Sequence, residues 1–131
     1  MTASAFAVLF VSALAVSLAL RVWLAYRHMG HVAAFRDAVP AAFAERIGLP
    51  AHRKAADYTV ARTRLSVAET LAETLVLVAL TLGGGLAALV AWTEVLPLGG
   101  IGRDLILIVA VAVISGMVGL PFSYAQTFGI E

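Results

Sequence analysis

One long polar stretch decides how this sequence folds: RDAVPAAFAERIGLPAHRKAADYTVARTRL, residues 36–65. It separates one apolar run from two others. Seven of the nine Lys and Arg residues lie between Arg27 and Arg64, and Arg21 comes just before them. Basic residues gathered in one connection between apolar runs are typical of the cytoplasmic side of a membrane protein. The pattern therefore predicts a membrane protein whose residues 27–64 form a basic cytoplasmic loop.

The composition points the same way. Hydrophobic residues make up 62% of the 131 residues and charged residues 13%, against about 45–50% and 25% in soluble domains. A soluble domain of this size could not keep that much apolar surface away from water. The sequence has no cysteine, which excludes disulfides and thiolate chemistry. We therefore expect the chain to be embedded in the lipid bilayer, and nothing in the charge pattern indicates nucleic acid.

Three apolar runs are long enough to cross a hydrocarbon core of about 30 Å, which needs roughly 20 helical residues. They cover approximately residues 3–26, 65–92 and 104–121. No positive side chain precedes the first run, which favours an uncleaved signal anchor over a cleaved signal peptide. The predicted fold is all-α, with three transmembrane helices, the amino terminus outside and an amphipathic helical loop between the first and second spans.

Glycine and proline mark the breaks in this pattern. Three glycines at residues 83–85 predict a close helix contact, a kink or a near-end of the second span. Pro121 is expected to close or kink the third span. Within the loop, Asp37 is placed to cap a short helix that begins near Pro40.

The stretch of residues 36–65 resembles the amino-terminal membrane region of the integral-membrane CAAX prenyl endopeptidases, zinc metalloproteases of the sterile-24 type. The resemblance continues through LTLGGGL (residues 80–86). It ends with LPFSYAQTFGIE (residues 120–131), which is similar to that family's LPF-x-x-Y-x-x-F-x-I-E segment. It implies a membrane-embedded zinc endopeptidase that cuts peptide or protein substrates, with these spans contributing a membrane anchor and part of the substrate chamber.

The family's catalytic motif is missing from these residues. Its chemistry needs an H-E-x-x-H helix, whose two histidines hold zinc while the glutamate activates water. The three histidines here are His28, His31 and His52, and none is followed by Glu. We expect no zinc ligand or catalytic residue in this chain. The resemblance implies that the zinc domain lies beyond Glu131, so that the chain is a fragment that would be inactive alone.

Glu69 and Glu73 stand four residues apart at the start of the second span, so they point the same way. A carboxylate at mid-bilayer costs about 2.5–3.5 kcal/mol and is a functional candidate by default. One interpretation is that both lie near the headgroups, facing a chamber or pairing with Arg62 or Arg64. The other is a small, self-contained multi-span transporter or membrane scaffold that uses the two glutamates.

The loop supplies the remaining candidates: Asp57, Tyr58, Arg62 and Arg64. The resemblance implies that this loop packs near the protease domain. These side chains are therefore candidates for contacts with the missing carboxy-terminal catalytic region, or with a substrate peptide. Ordinary solvated roles are equally compatible with the pattern. The Ala- and Arg-rich composition suggests a bacterial inner membrane.

Overall fold

The computed structural model describes residues 2–40, 43 and 45–129, which contain four α-helices and no strand. The helices are α1 (Ala3–Ala34), α2 (Leu49–Thr81), α3 (Gly85–Glu94) and α4 (Gly100–Phe128). The predicted all-α fold is confirmed at this level. The chain forms two compact units, which meet in sequence between Ala68 and Glu69. We call them the amino-terminal unit and the carboxy-terminal unit.

Two helices, α1 and α4, are each long and apolar enough to cross a membrane. The bent pair of α2 and α3 passes the same test when taken together, which gives up to three spans. The protein is therefore an integral membrane protein with two or three spanning segments.

The first helix is longer than the predicted span. Thr2 caps its start, where the Thr2 Oγ1 accepts a hydrogen bond from the Ala5 N–H at 3.4 Å. The helix then continues to Ala34 rather than stopping near residue 26. At 1.5 Å per residue its 32 residues extend about 48 Å, well beyond a hydrocarbon core of about 30 Å. Helix length and apolar length are therefore different quantities here.

Much of the predicted loop is helical, because the helices on both sides extend beyond the apolar runs. α1 occupies residues 27–34 and α2 begins at Leu49, so only residues 35–48 connect the two. The predicted short helix near Pro40 falls partly on residues 41, 42 and 44, which lie outside those described. Among the described residues, the Asp37 carboxylate accepts a hydrogen bond from Arg53 at 2.6 Å.

The three glycines interrupt the second apolar run. α2 ends at Thr81 and α3 starts at Gly85, with an angle of 56° between them. Gly84 has φ = +77°, a conformation that other residues adopt only with strain. A Cβ on Gly83 would lie 2.6 Å from the Ala79 carbonyl oxygen. The predicted kink is confirmed: the second apolar run forms two helices, α2 and α3, at an angle to each other.

The carboxy-terminal unit continues with α3 packed on α4. In the turn between them the Arg103 Nη2 donates to the Leu96 carbonyl oxygen at 3.1 Å. Thr93 is almost fully buried, and its hydroxyl donates to the Val90 carbonyl oxygen. Pro121 does not close α4, which runs on to Phe128. The tail after Pro121 is therefore helical through Phe128.

Candidate functional site

A cluster of ion pairs lies at the end of the amino-terminal unit where α1 and α2 are connected. Arg36 donates through Nε and Nη2 to the two carboxylate oxygens of Asp57, each at 2.7 Å. Arg53 donates to Asp37 at 2.6 Å, and Arg36 also lies 3.6 Å from Asp37. We call these four side chains the loop brace. They tie the start of the connection to the first three turns of α2.

The two-pronged contact between Arg36 and Asp57 has an electrostatic consequence. The hydrogen bond from the guanidinium holds the pKa of the Asp57 carboxyl below its ordinary value. The same hydrogen bond raises the pKa of Arg36. Both groups stay charged near neutral pH, and the planar guanidinium fork matches the carboxylate geometry. The Asp57 side chain is exposed and that of Arg36 is partly exposed, so the brace stabilises the connection between α1 and α2 locally and is screened by salt.

His52 adds a third link to the same region. Its Nε2 lies 3.0 Å from the Phe35 carbonyl oxygen, which accepts the hydrogen bond. His31 instead packs its ring against Phe35, with 4.7 Å between ring centroids. In the part of the chain that the structure describes, no three His, Asp or Glu side chains converge as a metal ion requires. These residues therefore do not fit the zinc site that the resemblance implies.

Of the predicted loop residues, Asp57 is part of the brace, whereas Tyr58 is exposed on the neighbouring face of α2. Arg62 and Arg64 are also exposed. Three ion pairs occur among the described residues, and all of them involve Arg36 or Arg53. The structure therefore does not pair Arg62 or Arg64 with Glu69 or Glu73.

The carboxy-terminal unit gives the two glutamates different surroundings. Glu69 is half-buried, and its Oε2 accepts a hydrogen bond from the Gln126 Nε2 at 3.0 Å. This bond joins the middle of α2 to the last turn of α4. Gln126 was not among the predicted site residues, because a neutral side chain 57 positions away carries no local signal.

Glu73 lines a cavity of about 270 Å³ formed by α2, α3 and α4 within the carboxy-terminal unit. Along α2 the lining side chains recur at helical spacing, and Leu86 near the start of α3 also lines the cavity. The walls are Glu73, Val76, Leu77, Leu80, Thr81, Leu86, Val111, Ser115 and Val118. The cavity is mainly apolar, and Glu73 is the ionisable group in its lining. The structure therefore separates the predicted pair into one glutamate that joins helices and one that faces an opening.

Comparison with known proteins gives one match. Residues 28–131 match a family described as CAAX prenyl protease N-terminal, five membrane helices. No curated protein and no solved structure matches the chain. The match covers most of the sequence, including the loop brace, the Gly83–Gly85 break and the cavity. It confirms the resemblance drawn from residues 36–65, 80–86 and 120–131. The chain therefore belongs to the family of CAAX prenyl protease amino-terminal membrane domains.

Proposed function

We propose that this chain is the non-catalytic membrane region of a membrane-embedded zinc endopeptidase that cuts peptide or protein substrates. It anchors the enzyme and forms part of the substrate chamber wall, while polypeptide outside these 131 residues supplies the zinc and its ligands. Membership of the family supports the first part. The observation that carries the second part is the cavity beside Glu73.

Glu73 supports a hydrated chamber through the cost of its charge. A carboxylate that faces lipid at mid-bilayer costs about 2.5–3.5 kcal/mol. That cost falls when the carboxylate faces water, and Glu73 is exposed beside an opening in its unit. The apolar walls on either side suit the side chains of an extended peptide. Glu73 would therefore keep part of the chamber wet without taking part in catalysis.

The same proposal includes a topology. The amino terminus lies outside, α1 crosses inward, and residues 27–64 are cytoplasmic, as the excess of arginine there favours. α2 and α3 then cross outward as one bent span, and α4 returns. The composition is consistent with a bacterial inner membrane. In this arrangement Asp57, Tyr58, Arg62 and Arg64 are available for contacts with the catalytic region or with substrate.

Cysteine labelling tests the chamber, because the chain has no cysteine of its own. Glu73→Cys should react in membranes with a charged methanethiosulfonate reagent, since thiolates form only where water is present. The matched control is Leu75→Cys, which lies on the opposite side of α2 from Glu73 and is 70% exposed. If Leu75 faces lipid, Glu73→Cys should react about tenfold faster or more.

Equal, slow labelling at both positions would contradict the chamber, because it would place the cavity in contact with lipid.

The transporter alternative is tested separately. Proteoliposomes that contain the chain would then show a proton flux, followed with a pH-sensitive dye, which Glu69→Gln and Glu73→Gln abolish together. The anchor proposal predicts no flux in the unsubstituted chain.

A further inference from the structure

We propose that four arginines of the amino-terminal unit bind the phosphate groups of anionic phospholipids. We call them the arginine collar: Arg21 and Arg27 on α1, and Arg62 and Arg64 on α2. The inference goes beyond the anchor and chamber functions, because it names a ligand class and a site for it. It does not depend on whether the chain belongs to an active protease.

Charge pairing separates the collar from Arg36 and Arg53 of the same unit. Arg36 and Arg53 are engaged by Asp57 and Asp37 in the loop brace. The four collar side chains are all exposed. In the ranges that the structure describes, no carboxylate lies within 4.0 Å of them. The collar therefore presents four positive charges that the described residues of this unit do not neutralise.

Two of the collar residues, Arg27 and Arg64, lie at matched distances from the loop brace along their helices. Arg27 is seven residues before the end of α1, and Arg64 is seven residues after Asp57. Each is therefore about 10 Å along its helix from the brace. Beyond both, the sequence turns apolar, towards Leu20 on α1 and Leu65 on α2. This change in composition puts the proposed membrane surface near Arg27 and Arg64. Arg62 lies two residues nearer the brace, and Arg21 lies six residues further along α1, about 9 Å, from where its long side chain can reach back to the surface.

Aromatic side chains mark the same level on α1. Trp23 and Tyr26 are 55% and 65% exposed, and rings of this kind concentrate at the headgroup region. The Arg27 guanidinium lies 5.6 Å from the Trp23 ring centroid. The ring attracts the cation, while the guanidinium N–H groups stay available to an outside acceptor. An interfacial ring with a cation held over it is suited to a lipid phosphate.

The ligand follows from this chemistry. A guanidinium donates two parallel hydrogen bonds to a phosphate as readily as to a carboxylate. At the membrane surface the acceptors present in excess are lipid phosphates, and anionic lipids add a negative surface potential. We therefore assign the collar to anionic glycerophospholipids, and not to an acidic protein surface or to free phosphate.

The test uses the whole chain, purified in a non-ionic detergent and titrated with phosphatidylglycerol or phosphatidylcholine. Bound lipid is counted by native mass spectrometry. The test variant is Arg62→Gln/Arg64→Gln. The matched control is Arg46→Gln/Lys54→Gln, which removes the same charge from residues farther from the membrane level. Arg21→Gln/Arg27→Gln should reproduce the test variant on the other helix.

We expect the unsubstituted chain to prefer phosphatidylglycerol. Each collar arginine should contribute about fivefold, so that the test variant binds phosphatidylglycerol about 25-fold more weakly. The control should change binding less than about twofold. Arg62→Lys/Arg64→Lys should retain most of the preference because it keeps the charge. Circular dichroism checks that each variant keeps its helix content.

Three results would overturn the proposal. The first is equal loss in the test and control variants, which would show a general charge effect. The second is binding with no preference for phosphatidylglycerol, as expected if the collar serves an acidic protein surface. The third is full displacement of the lipid by millimolar inorganic phosphate, which would make the site an anion site without a lipid requirement. If the α2 variant does not fold, the α1 variant decides the question by the same measurements.

Discussion

The two units hold their helices in opposite ways. The amino-terminal unit uses charge: the loop brace joins exposed side chains of the connection to α2. The carboxy-terminal unit uses backbone shape and one polar contact, namely the glycine break at residues 83–85 and the bond between Glu69 and Gln126. Exposed ion pairs suit a region that water can reach. Close approach through small residues suits a region where lipid removes the hydrophobic driving force between helices.

The glycine bend is where a substitution should weaken the carboxy-terminal unit most. Gly84→Val places a β-branched residue at φ = +77°, and strain of that kind costs on the order of 1–3 kcal/mol. We expect the free energy of unfolding to fall by that amount. It is measured by titration with sodium dodecyl sulfate, following helix content by circular dichroism.

Gly116→Ala is the control for that experiment. Gly116 lies inside α4, and an added Cβ there would meet no atom within 4 Å. We expect the stability to stay the same or rise by up to about 1 kcal/mol, because alanine favours the helix. A Gly84→Val chain as stable as the unsubstituted chain would show that the bend does not hold this unit together.

The polar contact of the carboxy-terminal unit should have a smaller effect. Side-chain hydrogen bonds between membrane helices contribute about 0.6 kcal/mol on average and up to about 1.7. A double-mutant cycle of Glu69→Ala and Gln126→Ala should therefore give a coupling energy in this range. The same cycle with Glu73→Ala in place of Glu69→Ala should give a coupling near zero. Equal couplings would mean that Gln126 does not distinguish the two glutamates.

The loop brace should respond to pH with the smallest effect. The pKa of Asp57 is lowered in the folded chain. Its contribution is therefore complete above the unfolded pKa, about 3.9, and is lost as the pH falls through the folded pKa. Spin labels on Ala33→Cys and Ala55→Cys should report a distance that broadens in that acid range. The brace should open about two- to fivefold more often once Asp57 is protonated.

Two variants identify the group that titrates. Asp57→Asn should give the broad distance distribution already at pH 7, with little further change in acid. Asp104→Asn removes a carboxylate from the carboxy-terminal unit and should leave the acid response in place. An acid response that persists in Asp57→Asn would assign it to another group and would remove the brace from the explanation.

The features that the sequence predicted well are those with a local cause. The glycine run produced the expected break, since Gly84 needs a positive φ and Gly83 has no room for a side chain. The apolar runs are helical, as expected for segments that cross lipid. Helix ends were predicted less well. Apolar length measures how far lipid extends, whereas Met29, Ala33 and Ala34 continue the helix of α1 past that point.

The contacts at the candidate site could not be predicted, because they join residues far apart in sequence. Arg36 and Asp57 are 21 positions apart, and Glu69 and Gln126 are 57 apart. Asp57 was singled out by its charge within a basic stretch, but its partner depends on where α1 ends. Pairing Glu69 with Arg62 or Arg64 seemed reasonable by proximity in sequence. The structure instead gives Glu69 a neutral partner on another helix.

Pro121 has a mechanical consequence. Proline has no amide hydrogen, so the carbonyl oxygen of Met117, one turn earlier in α4, receives no hydrogen bond from that position. In an ordinary helical turn this backbone hydrogen bond helps to resist bending, and the turn before Pro121 lacks it. Residues 122–128 are therefore joined to the rest of α4 by a turn that has one backbone hydrogen bond fewer. Gln126 lies beyond this turn, and its hydrogen bond to Glu69 is a side-chain link that holds the end of α4 to α2.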